Sequence, residues 1–120
     1  MDPKAVAIQF RDFYYGIFDT NRSQLQPLYR PSSMLTWEGQ EFLGTESILE
    51  KLTALPFEKI RREITTTDVQ PCGDDGILIF ITGALIIDDG QPIQFSQTFR
   101  LKQESGSFVV ANDIFRLNLG

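Results

Sequence analysis

Residues 77–87 place the strongest limit on how this chain can fold. From Ile77 to Ile87 the side chains are apolar except at Thr82 and Gly83. Turn residues rich in glycine, aspartate and proline border the stretch on both sides, which indicates a β-strand. Because successive side chains of a strand point to opposite faces, both faces of this strand are apolar and both must be covered.

Three helices are predicted before Pro56, where apolar residues recur at helical spacing. The first begins at Asp2, whose carboxylate can cap a helix. The second begins at the capping box Ser23-Gln24-Leu25-Gln26 and ends before Pro31. The third begins after Gly44 and ends at Pro56.

Beyond Pro56 the hydrophobic period changes to two, which is typical of strands. The predicted strands of this part of the chain cover residues 58–70, 77–87, 93–102 and 107–117. A turn is expected at Pro71-Cys72-Gly73-Asp74-Asp75-Gly76, between the first two of them. A further, shorter strand is expected to end at Trp37.

Helices followed by strands indicate an α+β domain, in which a curved antiparallel sheet has the helices packed on one face. At 120 residues the chain is expected to form a single domain, residues 1–120. The helices can cover only one side of the strand at 77–87. We therefore expect a second copy of the chain to cover the other side, in a homodimer joined sheet to sheet.

Charge and cysteine content narrow the classes of partner. The net charge of −5 makes nucleic acid and anionic membrane surfaces poor partners, because both attract basic proteins. A partner with a basic patch fits better. The single cysteine, Cys72, excludes an internal disulfide, and no apolar run has the length of a membrane span. We expect a soluble, intracellular protein.

Most enzyme chemistries lack their usual residues here. The chain contains no histidine, so neither a Ser-His or Cys-His pair nor a transition-metal site is expected. Asp74-Asp75-Gly76 and Asp88-Asp89-Gly90 resemble calcium ligands in composition, but their positions between predicted strands favour hairpin turns. No phosphate-binding glycine loop or dinucleotide fingerprint occurs. The sequence therefore predicts no metal and no cofactor.

Trp37 and Glu38 place an aromatic ring beside a carboxylate where a strand ends in a turn. Such a pair can present an apolar cavity with a charged rim. Asp88 and Asp89 add a double negative charge at the end of the 77–87 strand. A solvated surface is the ordinary explanation for such acids, and the apolar neighbours of both sites add support to a functional interpretation beside it.

Asp113 is another acid of interest. It alternates in phase with Phe115 and Leu117 in the last predicted strand, so it is a candidate for a buried acid. The interpretation we favour is structural, with Asn112 and Asp113 together fixing the strand end or the dimer contact.

Five parts of the sequence together carry a family resemblance. They are Phe13-Tyr14-Tyr15 with Phe18-Asp19-Thr20-Asn21-Arg22; Leu35-Thr36-Trp37-Glu38-Gly39-Gln40; Lys51-Leu52 with Leu55-Pro56-Phe57; Phe95-Ser96-Gln97; and Asn112-Asp113-Ile114-Phe115-Arg116-Leu117. Over nearly its whole length the chain resembles the nuclear transport factor 2 family, small dimeric carriers that import the Ran GTPase. The resemblance implies a cone-shaped, curved, antiparallel-rich sheet with three helices packed on one face.

The resemblance also implies a mode of binding. Members of this family bind Ran in its GDP state by taking a phenylalanine of Ran's switch II into an apolar cavity, while acids at the rim pair with basic switch residues. The implied rim residues are Glu38, Asp88 and Asp89. The residues implied to line or adjoin the cavity are Trp37, Leu55, Phe57, Ile60, Leu85, Ile87, Phe95, Phe115 and Leu117.

A second implied partner is the phenylalanine-glycine repeat of nuclear pore proteins, bound near the first helix and the dimer seam. Pro71 and Cys72 are the candidate contacts, and Pro3 stands where some members place an aromatic residue. Weak, fast contacts suit transit through a pore filled with repeats. The implied localisation is the cytoplasm and the nucleus, with concentration at the nuclear pore.

Two alternatives remain open. An enzyme of the same cone fold, of isomerase or dehydratase type, could use Tyr14, Glu38 and Asp113 much as ketosteroid isomerase uses its tyrosine and aspartates. A generic dimerisation module of the fold would bind neither Ran nor a small molecule. Binding of Ran loaded with GDP but not with GTP distinguishes the carrier from both.

Overall fold

The computed structural model describes residues 2–119, which form a single six-stranded sheet and three helical elements. The helical elements are α1 (Pro3–Phe18), a 3-10 helix (Arg22–Leu28) and α2 (Thr45–Thr53). The strands are β1 (Tyr29–Trp37), β2 (Gln40–Leu43), β3 (Ile60–Cys72), β4 (Gly76–Ile87), β5 (Ile93–Glu104) and β6 (Ser107–Leu117). Within the described residues, no helix has the length and apolar character needed to cross a membrane.

The order of strands in the sheet is β2-β1-β6-β5-β4-β3, and the predicted α+β, antiparallel-rich fold is confirmed. Every neighbouring pair is antiparallel except β1 and β6, which are parallel. Short turns join β3, β4, β5 and β6 in sequence, and such turns require antiparallel neighbours. Strand β3, with 13 residues, forms one edge of the sheet and pairs only with β4.

The core lies between α1 and the inner face of the sheet. Helix α1 begins as predicted, because a carboxylate oxygen of Asp2 accepts a hydrogen bond from the Lys4 amide and Pro3 occupies the first turn. Two rings of α1 meet Phe99 of β5 at a steep angle, with centroid distances of 4.8 Å for Tyr14 and 5.3 Å for Phe10. Edge-on contacts of this kind fix the helix to the middle of the sheet.

The second predicted helix is shorter and tighter than expected. It is a 3-10 helix, and the predicted capping box does not form, because the Ser23 hydroxyl donates to Asn21 Oδ1 at 2.7 Å. Pro27 lies inside it and lacks the N–H that a continuing α-helix would use. The chain therefore enters β1 already at Tyr29, earlier than predicted, and Pro31 lies within that strand.

Strand β3 also extends beyond its predicted end. It includes Pro71 and Cys72, so the predicted turn is confined to residues 73–75. Proline is tolerated there because β3 is an edge strand and its missing N–H breaks no ladder between two neighbours.

Strands β3 and β4 approach each other closely at Gly83, beside a β-bulge. The register of β3 shifts between Ile64 and Thr66. A Cβ atom at Gly83 would overlap the backbone oxygen of Glu63 and lie 3.1 Å from Cε1 of Phe95. Since bulges bend and twist a strand, the bulge and the missing side chain together let the sheet curve around the core.

The face of the sheet opposite α1 carries exposed apolar side chains. Met34 of β1, Phe80 of β4 and Ile114 of β6 are 49%, 41% and 50% exposed, and we call them the outer patch. Phe80 and Ile114 lie on either side of Thr98 in neighbouring strands. An apolar patch that spans several strands marks an interaction surface.

Gly83→Ala is expected to lower the free energy of unfolding by about 2–3 kcal/mol, because the new Cβ meets backbone that cannot rotate away. Gly16→Ala in α1 is the matched control. No heavy atom lies within 4 Å of its Cβ position, and alanine favours a helix interior by roughly 0.5–1 kcal/mol. Urea unfolding of the three proteins checks both signs, and a Gly83→Ala protein of unchanged stability would contradict the close approach.

Candidate functional site

The nine residues implied to form a cavity come together at one end of the sheet, where β1, β4 and β6 end and β3 and β5 begin. The following residues lie opposite each other there: Trp37 and Phe115, Phe95 and Leu117, and Ile60 and Ile87. Leu85 belongs to the same inner face of β4, and Leu55 and Phe57 follow α2 in the chain. All nine are members of one apolar cluster or pack against it.

Stacked aromatic rings form the floor of this cluster. The Trp37 ring lies parallel to Phe115, with centroids 4.0 Å apart and planes at 9°. Phe18 of α1 also stacks on Trp37, at 6.0 Å. Trp37 is only 6% exposed and Phe95 not at all. The accessible apolar side chains, which we call the mouth, are the partly buried Phe57, Ile60, Ile87 and Leu117.

Glu38 lies beside the mouth in a two-residue turn between β1 and β2. Its φ of 51° and the 85° of Gly39 are the left-handed values that a type I′ hairpin requires. Glutamate is strained in that conformation, and two hydrogen bonds hold it there: its N–H donates to the Phe115 carbonyl at 3.0 Å, and its carboxylate accepts the Leu117 amide. The turn therefore fixes the carboxylate against the end of β6.

Asp88 and Asp89 follow β4 at the same end of the sheet. One oxygen of Asp88 accepts the backbone amides of Lys59 at 2.8 Å and Glu58 at 3.2 Å. Asp89 forms an exposed ion pair with the Lys59 ammonium at 3.2 Å, which solvent screens. The structure thus brings all three implied rim acids to one end, and two of them, Glu38 and Asp88, already bind backbone amides.

The segment of residues 54–59, which we call the lip, connects α2 to β3 and carries Leu55 and Phe57. Arg22 holds it, and sequence analysis named this residue only as part of the family resemblance, without a role. Its guanidinium donates to the carbonyls of Leu52 at 2.7 Å, Leu55 at 3.1 Å and Phe57 at 3.2 Å. Burial lowers the pKa of Arg22, which nearby Asp19 partly opposes, and the guanidinium stays charged at neutral pH.

A buried ion pair beside the aromatic floor was also missed. The Arg62 side chain is 5% exposed and makes two hydrogen bonds to the Asp19 carboxylate, at 2.7 and 3.2 Å. Its Cζ atom lies 3.8 Å from the centroid of the Tyr15 ring. Arg62 alternates in phase with Ile60 and Ile64, and that inward phase was the available signal.

Five polar side chains from four elements form a closed network inside the core. Asp113 accepts hydrogen bonds from Tyr29 at 2.8 Å and from Gln97 at 2.8 Å. The hydroxyls of Tyr14 and Tyr29 are 2.6 Å apart, and Tyr15 donates to Gln97 at 2.7 Å. Among the described residues, every buried side-chain nitrogen and oxygen has a partner. An apolar core tolerates a buried polar cluster when each of its polar atoms is hydrogen-bonded.

Asp113 is therefore a buried acid, and the strand-end pair that we favoured is wrong. Asn112 points to the other face, where it accepts a hydrogen bond from Arg100 at 2.7 Å. Burial raises the pKa of Asp113 to about 6, although hydrogen bonds from Gln97, Tyr29 and Tyr14 oppose the rise. The carboxylate is thus ionised at neutral pH and carries a cost that a surface acid does not.

The same network bears on the enzyme alternative. Tyr14 and Asp113 do meet, as that alternative requires, but each is 1% exposed. Burial and the Asp113 charge raise the pKa of Tyr14 well above its usual value, so it is a poor acid. Glu38 lies apart from them, in its turn. Within residues 2–119 no group of three potential metal ligands occurs. The arrangement packs and orients the core, and it leaves these groups closed to a small molecule.

A small groove opens at the opposite end of the sheet, where β3 and β5 end. Its volume is about 290 Å³, and Pro3, Pro71, Ile77 and Phe108 form most of its apolar lining. Cys72 follows Pro71 in the strand, so its side chain points to the other face of the sheet. The structure therefore separates the two residues implied for repeat binding, and only Pro71 lines the groove.

Comparison with known proteins shows close relatives. The family model described as the nuclear transport factor 2 domain matches residues 6–117. Nuclear transport factor 2 of Eremothecium gossypii is 54% identical over 120 residues, which cover 98% of this chain and 96% of that protein. The corresponding protein of Schizosaccharomyces pombe is 47% identical over 121 residues, 99% of this chain and 98% of that protein.

Comparison with solved structures gives the same family and the same fold. Nuclear transport factor 2 from Cryptosporidium parvum has a TM-score of 0.92 and 46% identity, over 96% of this chain and 94% of that chain. A putative dehydratase from Streptomyces avermitilis has a TM-score of 0.80 but 15% identity, over 99% of this chain and 100% of that chain. The second likeness is one of fold alone.

Burial of Asp113 gives stability a testable pH dependence. The folded pKa of about 6 exceeds the ordinary value of 3.8, so the folded protein binds this proton more tightly than the unfolded chain. Stability is therefore expected to fall by roughly 3 kcal/mol per chain as the pH rises through that interval, and to level off above it.

Asp113→Asn keeps the shape of the side chain without its charge and should remove this component. Urea unfolding from pH 4 to pH 7 at fixed protein concentration measures it as the difference between the two proteins, in which the other carboxylates cancel. A difference that is independent of pH would show that the buried carboxyl does not titrate as inferred.

Proposed function

The chain belongs to the nuclear transport factor 2 family, and from this premise we propose that it is a homodimeric carrier that binds GDP-bound Ran and phenylalanine-glycine-repeat nucleoporins and imports Ran into the nucleus. Its relatives are named as transport factors, and the chain is a nuclear transport protein and not an enzyme. We further propose that residues 1–120 act as a single domain, in the cytoplasm and the nucleus and concentrated at the nuclear pore.

The observation that carries the proposal is the mouth, a group of four half-buried apolar side chains at the acidic end of the sheet. Its half-buried side chains surround a floor of buried ones, namely Trp37, Leu55, Leu85, Phe95 and Phe115. A single phenylalanine ring placed there loses its contact with water against a surface that is already packed. Hot-spot side chains bind where such apolar packing excludes water around them.

The acids beside the mouth would orient and attract a basic partner. Glu38 and Asp88 each use a carboxylate oxygen to hold a backbone amide, so a second oxygen is available to accept an N–H of a basic partner. Asp89 pairs with an exposed lysine that a partner's cation can replace. With a net charge of −5 on the chain, a basic partner is attracted over a distance and its association is accelerated.

The groove at the opposite end fits the proposed contact with nucleoporins. Its lining by Pro3, Pro71 and Phe108 offers a shallow apolar surface for one ring of a repeat. A contact of this size dissociates quickly, as passage through the pore requires. Cys72 lies on the outer face, in phase with Gln70, where a dimer seam would run.

The outer patch supports the proposed homodimer. Its three exposed apolar residues lie on the sheet face that no helix covers. A second copy that presents the same patch across a two-fold axis is complementary to it, since isologous interfaces pair a surface with itself. The dimer then supplies the second cover that strand β4 requires.

The protein is expected to bind Ran loaded with GDP and not Ran loaded with GTP, as measured by calorimetry. Glu38→Gln should weaken the GDP complex about tenfold, because it removes a charge that faces basic residues. Its amide oxygen still accepts the Leu117 amide, so thermal unfolding should be unchanged.

Asp74→Asn is the matched control, because it removes the same charge from a turn at the opposite end of the sheet. Equal binding of both nucleotide states, or of neither, would overturn the carrier function. Binding of GDP-loaded Ran with no effect of Glu38→Gln would overturn only the rim assignment.

Ile114→Asp is expected to convert the dimer to a monomer, because it places a charge in the middle of the outer patch of each copy. Sedimentation equilibrium should show the mass falling from twice 13.7 kDa to 13.7 kDa. Phe13→Asp, on α1, is the control, since Phe13 is equally exposed (55%) but lies away from the patch. A dimer that persists in Ile114→Asp would place the interface elsewhere.

A further inference from the structure

We propose that Arg22 is a positioning residue of the Ran site: its guanidinium holds the lip, residues 54–59, in the conformation that places Leu55 and Phe57 around the incoming ring. The inference rests on the proposed function. It concerns a residue that lies outside the mouth and the acidic rim and positions the lip that borders the mouth.

The guanidinium of Arg22 joins the end of α2 to the lip. Its Nε donates to the Leu52 carbonyl, and its Nη2 donates to the carbonyls of Leu55 and Phe57. The last residues of a helix leave carbonyls without intrahelical partners, and a cation there also meets the negative end of the helix dipole. One side chain thus satisfies three carbonyls over a stretch that has no regular secondary structure of its own after α2.

Arg22 is itself held in place by rings. Its Cζ atom lies 5.6 Å from the centroid of Phe18 and 5.9 Å from that of Phe57. Phe18 stacks in turn on Trp37 of the floor. The cation therefore links the aromatic floor, through Phe18, to the lip, through Phe57.

Asp88 holds the other part of the lip. Its carboxylate accepts the amides of Glu58 and Lys59, while the Asp88 amide donates to the Lys59 carbonyl at 2.8 Å. The lip is thus fastened near its beginning by Arg22 and near its end by Asp88. Without Arg22, the half that carries Leu55 and Phe57 loses its polar anchor while the half next to Asp88 keeps one.

Charge and positioning predict opposite effects for loss of Arg22. Removing a cation near an acidic site makes that site more negative, which strengthens attraction for a basic partner. Losing the anchor disorders the lip, and ordering the lip again on binding costs affinity. The sign of the change in affinity therefore distinguishes the two roles.

The test compares Arg22→Gln and Arg22→Lys with the unmodified dimer. Arg30→Gln is the matched control: Arg30 also donates to backbone carbonyls, of Pro27 and Tyr29, but it pairs with Glu104 at the opposite end of the sheet. Binding of GDP-loaded Ran is followed by surface plasmon resonance. Exchange of the Leu55 amide, which lies in the half of the lip that Arg22 holds and donates to the Leu52 carbonyl, is followed by NMR on the free proteins together with that of core strand β5.

Arg22→Gln is expected to weaken binding about tenfold, mainly through faster dissociation, and to speed exchange of the Leu55 amide while the amides of β5 stay protected. Arg22→Lys keeps the charge but not the fork of donors, so it should recover only part of the affinity. Arg30→Gln should leave lip exchange unchanged and binding unchanged or slightly tighter.

Lip exchange that does not change in Arg22→Gln would overturn the proposed hold. Faster lip exchange with unchanged or tighter Ran binding would overturn its role in the site. Failure of the unmodified protein to bind GDP-loaded Ran would instead overturn the proposed function. The assignment of Arg22 to a Ran site would then be overturned as well.

Discussion

The helices of this chain can cover only one face of its six-stranded sheet, and this limit organises the molecule. On the covered face, aromatic side chains of α1 pack against β5 and β6, and the polar groups that share that space must satisfy one another, as Asp113 does with two tyrosines and a glutamine. The curved sheet narrows around this core but leaves one end apolar and accessible. On the uncovered face the outer patch remains exposed. An accessible apolar end and an exposed apolar face thus both result from the incomplete cover of the sheet.

Much of the fold could be predicted from local patterns, and the departures have local causes as well. The change of period at Pro56 separates helices from the long strands, and the apolar run at 77–87 became β4 almost residue for residue. The 3-10 helix was missed because Ser23 bonds to Asn21 rather than to the helix, and a proline follows. The parallel pairing of β1 with β6 has no local signal, because it joins residues as distant as Leu35 and Asp113.

The residues of the candidate site also differ in whether the sequence could predict them. Its apolar residues were implied by the family resemblance, and all nine lie at one end of the sheet in the structure. Arg22 and Arg62 were not predicted to belong to the site, because an arginine is ordinarily solvated and the groups that surround it here lie far along the chain. Arg62 finds Asp19 and Arg22 finds the end of α2 only after folding. For such residues phase is the one sequence signal, and it was visible at Arg62 and Asp113.

Strand β3 leaves 13 residues of backbone along an open edge, which is a template for the strand of another molecule. Three of its features oppose such pairing: the bulge after Ile64 breaks the regular spacing of donors and acceptors, Pro71 removes a donor, and Arg61, Glu63 and Asp68 keep charges along it. The proposed dimer uses the sheet face, and a second mode of association through the sheet edge would join such dimers into polymers. The irregularities of β3 therefore protect the molecule from polymerisation.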